Sequence, residues 1–186
     1  RIQPQPRTGN AFPLSFAQQR LWFLHQLYPE IPLYNVPAAV DLKGPLQVLG
    51  LQQSLTALCQ RHEGLRTIFI VSDGEPMQVI QPATSWDLPL VDLQSLPPSE
   101  QDTVVQQLTT EEAQRPFDLA QGPLLRTTLL KLDAETHILL INLHHIVADG
   151  WSLEIFVREL ALLYKAVLDG KPSPLPDLPF QYADFA

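Results

Sequence analysis

The amino-acid sequence predicts an α/β two-layer sandwich in which a mixed β-sheet packs against helices. Three observations favour this fold class. Apolar residues recur at helical spacing in four segments, strand-like runs rich in Val, Ile and Leu lie between them, and helices and strands alternate in pairs. With 186 residues, of which 45% are hydrophobic, the chain is long enough for one well-buried domain.

The first half of the chain is predicted to hold two helices and three strands. Residues 1–12 are polar and contain Pro and Gly, which predicts a linker from an upstream segment, and residues 13–186 form the domain. Ser15 and Gln18 have the spacing of a capping box, so a helix is expected to run from there to about Tyr28. Then follow an extended segment over residues 34–42, a helix over 47–62, and two strands over 65–72 and 77–81.

The second half is predicted to hold two helices and a further strand pair. The third helix begins near Pro98 and reaches about Gln114. Two strands cover residues 124–132 and 137–145, and the fourth helix covers 152–168 and ends at Gly170. The apolar run that precedes His144 and His145, and the helical pattern that follows them, put both histidines at the end of a strand.

The candidate chemistry lies in the run His144-His145-Ile146-Val147-Ala148-Asp149-Gly150. Successive strand side chains point to opposite faces of a sheet, so only one of the two imidazoles can face a given cleft. The other must be buried or held by a partner. An imidazole suits a base at neutral pH, because its free pKa is about 6.5. Asp149 and Gly150 then make a turn, in which a carboxylate can fix the loop and a glycine can admit a ligand close to the backbone.

Composition excludes several classes of function. The formal net charge of −8 argues against nucleic acid or an anionic membrane as the main partner. A single cysteine excludes an intrachain disulfide and fits the reducing cytoplasm, and no apolar run reaches the length of a membrane span. Neighbouring strand residues diverge and no other Cys/His cluster has ligand spacing, so no metal site is predicted. Taken singly, His25, His62 and His137 are most simply core histidines.

Four segments, in this order, resemble the core motifs of the condensation domains of nonribosomal peptide synthetases. They cover residues 15–24, 61–69, 143–152 and 181–186, and the third contains the family's H-H-x-x-x-D-G signature. The run Pro116-Phe117-Asp118-Leu119, followed by Gly122-Pro123-Leu124-Leu125-Arg126, is also typical of the family. The histidine pair alone would also fit the H-x-x-x-x-D pattern of glycerolipid acyltransferases, with His144 as the base. That alternative does not account for the other three motifs.

The resemblance implies that this chain is one half of a larger domain. Condensation domains have two lobes, each with a fold similar to chloramphenicol acetyltransferase, and the later motifs of the C-terminal lobe are absent here. Residues 13–186 are therefore expected to form the N-terminal lobe. The active site of the family lies in a tunnel between the lobes, so the isolated lobe is not expected to be active.

The resemblance also implies the reaction and its partners. The amine of an acceptor aminoacyl group attacks the thioester of a donor acyl or peptidyl group, and an amide bond forms. Both substrates arrive on 4'-phosphopantetheine arms of partner carrier domains, and the lobe itself binds no cofactor. The expected partners are the C-terminal lobe, the donor and acceptor carrier domains and an adjacent adenylation domain.

The family pattern assigns a role to each residue of the motif. His145 is expected to face the tunnel, where it takes the ammonium proton or orients the amine, and the Gly150 N–H is a candidate oxyanion donor. His144 is expected to point away from the tunnel and to be bonded within the lobe. Asp149 is expected to form a buried ion pair with Arg66, because an unpaired buried charge costs roughly 3–5 kcal/mol.

Two alternatives to condensation stay open at this point. An epimerisation domain shares the histidine pair but lacks the Ser-x-Ala-Gln-x-Arg form of the first motif, whereas a heterocyclisation domain would carry aspartates in place of the histidines. From a different class, the chain could be a lobe that docks carrier domains without catalysing a reaction.

Overall fold

The computed structural model describes residues 3–5 and 7–186, in which two β-sheets and four α-helices form. None of these helices is both long and apolar enough to cross a lipid bilayer. Short 3₁₀ helices cover Pro32–Tyr34, Glu63–Arg66 and Tyr182–Asp184. The strands and α-helices in chain order are β1 (Ala11–Pro13), α1 (Phe16–Leu27), β2 (Asn35–Lys43), α2 (Val48–Arg61), β3 (Thr67–Ser72), β4 (Glu75–Ile80), β5 (Leu90–Asp92), α3 (Pro98–Gln114), β6 (Leu125–Lys131), β7 (Thr136–His144) and α4 (Gly150–Leu168).

The larger sheet has the strand order β2-β7-β6-β5. Strand β7 runs antiparallel to both of its neighbours, and β5 runs parallel to β6, so the sheet is mixed. Strand β7 is an interior strand, and every residue from Leu139 to His144 is buried. The strand that carries the histidine pair is therefore held by a neighbour on each side. The predicted α/β class, with a mixed sheet packed against helices, is confirmed.

Helices cover both faces of this sheet, so it is the middle of three layers where the sequence predicts two. Helices α2 and α4 pack on one face, against the buried side chains of Leu139, Ile141 and Leu143 in β7. Helix α3 covers the opposite face, where its partly buried side chains pack with Leu130 and Leu140. Alternation along β7 therefore puts odd-numbered residues toward α2 and α4 and even-numbered ones toward α3. His144 belongs to the even-numbered set.

The smaller sheet is antiparallel, with the order β1-β4-β3. Strands β3 and β4 form a hairpin whose two turn residues, Asp73 and Gly74, have φ values of 53° and 86°. Two consecutive positive φ values are typical of the tight turns that match the twist of a two-stranded ribbon. The hairpin agrees with the strand pair that the sequence predicts, apart from a shift of two residues at the start of each strand.

Two short strands were not predicted, and one of them lies at the end of the predicted linker, residues 1–12. Phe12 of β1 is buried and lies opposite Gln78 of β4. Before it, Arg7 forms ion pairs with Glu63 and Asp184. The described part of this segment therefore packs on the domain. Strand β5 is the other unpredicted strand, and with three residues it is too short to show a sequence period.

Helix α1 presents an apolar surface to solvent. Its capping box is as the sequence predicts, since the Ser15 hydroxyl accepts from the Gln18 N–H and the Gln18 side chain accepts from the Ser15 N–H. Gln18 is the buried residue of this helix. Phe16 is 91% exposed, and Phe23 and Leu27 are exposed on the same side. Contiguous exposed apolar side chains of this kind mark surfaces that bind another protein or segment.

Candidate functional site at the end of strand β7

The two adjacent histidines at the end of β7 have opposite environments. His144 is the last residue of the strand and is 3% exposed, whereas His145 is the first residue of the following turn and is exposed. The backbone N–H of His145 donates to the Tyr34 carbonyl at 2.8 Å, and the Val147 N–H donates to the His144 carbonyl at 3.0 Å. The divergence of the two side chains agrees with the prediction from strand geometry.

Three aromatic rings surround His144, and we call them the His144 cage. His25 and Phe117 meet its ring edge-on, with centroids 5.9 and 6.0 Å away, and Tyr34 lies at 6.3 Å. The Nδ1 atom of His144 accepts the N–H of Ile146 at 3.1 Å. An imidazole that accepts through Nδ1 carries its proton on Nε2. The ring therefore stabilises the start of the turn through a backbone hydrogen bond.

The cage keeps His144 neutral. Burial and, to a smaller extent, the charges that His25 and His145 carry when protonated together lower the pKa of His144 to about 3. Burial also lowers the pKa of His25, although the Asp118 carboxylate opposes that shift. His144 is thus unsuited to take up protons at neutral pH, and its placement fits the predicted role of a support within the lobe.

Asp149 is the N-cap of helix α4. Its Oδ1 accepts from the Ser152 N–H at 2.8 Å and from the Ser152 hydroxyl at 2.7 Å. These two bonds lower the pKa of the Asp149 carboxyl. Because the cap already begins the helix at Gly150, α4 starts two residues earlier than the sequence predicts.

The predicted ion pair between Asp149 and Arg66 does not form among the described residues, so this prediction is wrong. Asp149 is exposed and takes its hydrogen bonds from the adjacent turn of helix. Arg66 instead donates from Nη1 to the Gln81 carbonyl at 2.6 Å, just beyond strand β4. Local donors satisfy the carboxylate and solvent reaches it, so it has no need of a distant cation. Arg66 supports the β3–β4 hairpin.

Gly150 is the first residue of α4 and is exposed. A Cβ built on it would meet no atom within 4 Å, and its φ lies outside the left-handed region. The fold itself therefore does not require glycine here. The first N–H groups of a helix have no acceptor within the helix and carry its positive dipole end, so they can bind a negatively charged oxygen.

A pocket of about 250 Å³ lies behind the turn. Its walls are mostly apolar side chains of the turn, of α4 and of the segment after residue 177, and they include Val147, Ala148, Phe156, Leu178 and Phe180. His62 also borders it, and its Nε2 lies 2.6 Å from the buried carboxylate of Glu159. His62 therefore joins α2 to α4. Within the described residues, no group of three His, Cys, Asp or Glu side chains is arranged to hold a metal ion.

The residues that hold His144 have no role in the prediction from the sequence. His25 is expected there to be a core histidine, and Tyr34 is expected only to begin an extended segment. Phe117 and Arg126 belong to a run that is typical of the family, but the contact of Phe117 with His144, and of Arg126 with Phe117, depends on how distant segments meet. That run is the one sequence signal that points to Phe117 and Arg126.

Comparison with known proteins identifies the family of this chain. Its residues 9–186 match the family model described as "Condensation domain". The chain is 50% identical over 185 residues to a linear gramicidin synthase from Brevibacillus parabrevis, covering 100% of the chain and 2% of that protein. It is 44% identical to phosphinothricin tripeptide synthetase PhsC of Streptomyces viridochromogenes, covering 100% of the chain and 17% of that protein.

Solved condensation domains share the fold. The starter condensation domain of rhizomide synthetase RzmA has a TM-score of 0.84 and 28% identity, over 92% of this chain and 41% of that one. The first condensation domain of the CDA synthetase has a TM-score of 0.80 and 25% identity, over 89% of this chain and 41% of that one. The chain thus spans about two fifths of these structures and a small part of the curated relatives. With a family model that matches nearly its whole length, this chain belongs to the condensation-domain family.

Proposed function

We propose that residues 13–186 form the N-terminal lobe of a two-lobed condensation domain and present one half of its amide-forming site. The family match and the extent of the solved relatives support this proposal, because the chain covers 41% of the RzmA domain. The other half of the site would come from a C-terminal lobe. The isolated N-terminal lobe is then inactive, since one wall of the tunnel is missing.

The observation that carries the proposal is the placement of His145. Its ring is exposed at the end of a buried interior strand, one turn of chain away from the N-terminus of α4. A proton acceptor and a set of backbone N–H donors therefore border the same turn. An amine that attacks a thioester needs both, because a proton leaves nitrogen while negative charge develops on the carbonyl oxygen.

The reaction balances as an acyl transfer. The acceptor nitrogen bonds to the donor carbonyl carbon, the carbon–sulfur bond breaks, and the donor thiol leaves with a proton. His145 takes the proton of the acceptor ammonium or orients the amine, which is worth roughly 10²–10⁴-fold for a general base. The Gly150 N–H faces the developing oxyanion. His144 and Asp149 fix the turn and the helix start, and Arg66 supports the hairpin beside them.

Positioning supplies the rest of the rate. Two thioesters held in register can reach effective molarities of roughly 10⁵–10⁸ M. The substrates are carried by donor and acceptor carrier domains on 4'-phosphopantetheine arms, and the lobe itself binds no cofactor. A variant of the similar RzmA domain was solved with C8-CoA and Leu-SNAC. That variant is 26% identical to this chain, with a TM-score of 0.84 over 95% of this chain and 41% of that one. The exposed apolar side of α1 is available for a partner.

The setting of the lobe completes the proposal. An adenylation domain next to the condensation domain would load the acceptor carrier. A cytoplasmic location fits the single cysteine, which lies buried and free at position 59. Neither nucleic acid nor a membrane is a partner of this lobe, in keeping with its net charge of −8.

The test replaces His145 by Ala in the complete two-lobed domain and measures product released from preloaded donor and acceptor carriers. We expect product formation to fall by roughly 10²–10⁴-fold. Glu135→Ala, in the exposed turn at the opposite end of β7, is the matched control and should leave the rate unchanged. A wild-type rate in the His145 variant would remove His145 from the mechanism. Wild-type domain that binds both carriers without releasing product would favour the non-catalytic docking lobe.

A further inference from the structure

Arg126 of strand β6 holds the end of helix α3. Its Nε donates to Glu112 Oε1 at 2.5 Å, its Nη1 to the Pro116 carbonyl at 3.0 Å, and its Nη2 to the Arg115 carbonyl at 2.7 Å. The last carbonyls of a helix lack donors within the helix, and a cation is favourable at this end. One guanidinium therefore satisfies several acceptors and fixes where the chain leaves α3.

The same guanidinium lies on the ring of Phe117. Its Cζ is 3.7 Å from the ring centroid, which is a close cation–π contact. Phe117 is 4% exposed and is a wall of the His144 cage, because it meets the His144 ring edge-on with centroids 6.0 Å apart. A continuous path of contacts thus runs from Arg126 through Phe117 to His144.

Two asparagines from neighbouring strands hold the same helix end. Asn142 lies opposite Arg126 in the sheet, and its Nδ2 donates to the Glu112 carbonyl at 2.6 Å. Asn35 lies opposite His144, and its Nδ2 donates to the carbonyls of Ala113 and Arg115 at 2.8 and 2.9 Å. Side chains of β2, β6 and β7 therefore converge on the end of α3, directly before Phe117.

We propose that Arg126 is a positioning residue for the condensation reaction, acting through Phe117 and His144 on the turn that presents His145. The inference rests on the proposed function of His145. Arg126 fixes Phe117, and Phe117 limits the rotation of the His144 ring. The fixed ring keeps its Nδ1 on the Ile146 N–H, and this bond begins the turn in which His145 is the first residue.

The consequence of losing Arg126 follows from the hydrogen bond at Nδ1. If Phe117 is free to move, the His144 ring can rotate or take up a proton, and a protonated Nδ1 is a donor that cannot accept from the Ile146 N–H. The turn then samples other conformations. Substrates still bind, because no carrier or thioester contact is removed, but the His145 ring is in its productive position for a smaller part of the time.

The first experiment compares Arg126→Gln with Arg115→Gln in the complete two-lobed domain. Arg115 lies at the same helix end and is exposed, so its variant removes an equal charge without touching Phe117. We expect Arg126→Gln to lower kcat for preloaded carriers about 10-fold with little change in KM, as expected for lost positioning. Arg126→Lys keeps the charge but not the fork of donors and should recover part of kcat. Arg115→Gln should match wild type.

The second experiment separates positioning from general damage. Phe117→Leu keeps an apolar side chain but removes the stacked ring. If Arg126 acts through Phe117, the double variant Arg126→Gln with Phe117→Leu should be no slower than the worse single variant. Full additivity of the two losses would show an independent route and would overturn the proposal. All variants are compared at a temperature where circular dichroism shows them folded, and Arg126→Lys takes the place of Arg126→Gln if the latter does not fold.

A spectroscopic readout keeps this proposal distinct from the proposed function. With ¹⁵N-labelled histidine, wild-type His144 should show a neutral ring with its proton on Nε2, and Arg126→Gln should show mixed ring states. Absence of product from wild type would count against the proposed function, and the ring spectra would still test the coupling. An unchanged His144 spectrum together with a wild-type kcat in folded Arg126→Gln would overturn the inference.

Discussion

The His144 cage and the turn that starts at His145 are adjacent in the chain but differ in solvent exposure and in the side chains around them. In the His144 cage, a buried imidazole is bordered by three aromatic rings and joined through Phe117 to the end of α3. The turn that starts at His145 exposes His145, Asp149 and Gly150 to solvent, whereas Ile146 and Ala148 within it are buried. The comparison shows how a fold can expose a single side chain: interior packing fixes the backbone up to His144, and the side chain of His145 is left accessible.

The difference assigns stability and chemistry to separate residues. Groups in the cage contribute mainly to folding, because removing them leaves a void or an unpaired polar group in the interior. Under the proposed function, the exposed side chain of His145 contributes mainly to the reaction, because solvent can replace it at small cost to the fold. A substitution at His144 should therefore lower mainly stability, and a substitution at His145 should lower mainly activity.

The largest expected effect comes from truncating the two histidines. His144→Ala should lower the free energy of unfolding of the chain by about 2–4 kcal/mol, as for other large buried side chains. His145→Ala should change it by less than about 0.5 kcal/mol. Denaturant unfolding followed by tryptophan fluorescence measures both. Equal losses in the two variants would contradict the proposed division between support and chemistry.

The cage should also make stability depend on pH. His144 has a folded pKa of about 3, so between that pH and its unfolded pKa near 6.5 only the unfolded state binds the proton. Wild type should therefore lose stability as pH falls below about 6.5, by up to about 1.4 kcal/mol per pH unit from this group. His25 and His137, whose pKa values are also lowered, add to the loss.

The variant His144→Asn isolates the contribution of one ring. Asn offers an oxygen in place of Nδ1 and does not titrate. Its stability deficit relative to wild type should therefore shrink as the pH is lowered from 7.5 to 5. Chemical unfolding at several pH values checks this. A deficit that is constant across the range would show that His144 titrates normally in the folded chain.

A smaller effect is expected at the helix cap. Asp149→Ala should cost about 1 kcal/mol of stability, as for other N-cap residues, and Asp149→Asn should cost less because it keeps the acceptor. A double-mutant cycle of Asp149→Ala with Arg66→Met should show a coupling energy below about 0.5 kcal/mol. A coupling energy of several kcal/mol would instead support the ion pair between Asp149 and Arg66 that the sequence resemblance implies.

The smallest effect on the fold is expected at Gly150. Gly150→Ala should leave stability unchanged or raise it by up to about 1 kcal/mol, because alanine is favoured within a helix and the added Cβ meets no atom within 4 Å. Product formation by the complete domain should nevertheless fall if substrate approaches this backbone. A stable variant with a wild-type rate would remove Gly150 from the site.

The sequence predicts the parts of this chain that local rules govern. The capping box of α1, the connection between the two strands of the hairpin and the opposite facing of His144 and His145 all follow from local pattern, although the turn has two residues where the sequence predicts four. The resemblance to condensation domains adds the family, which the family model and relatives confirm. Each of the local features depends on residues within a few positions of one another, and the resemblance depends on four such motifs in order along the chain.

Features that depend on how distant segments meet could not be predicted. The partner of Arg66 is decided by the register of the β3–β4 hairpin. The His144 cage brings residues 25, 34 and 117 together from α1, a 3₁₀ helix and the loop after α3. A three-residue strand such as β5 shows no period of its own and is specified by its neighbour β6.

Strand β7 is matched to β2 over nine residue pairs and to β6 over seven. A slip by one residue would exchange the faces of all its side chains, and both ladders would have to break for that to happen. Inserting or deleting a single residue inside β7 would therefore turn His144 and His145 to opposite faces of the sheet. The same change in the 133–135 loop would alter only the loop and leave the strand register unchanged. Under the proposed function, the histidine that faces the substrates is thus set by whether its position along β7 is odd or even.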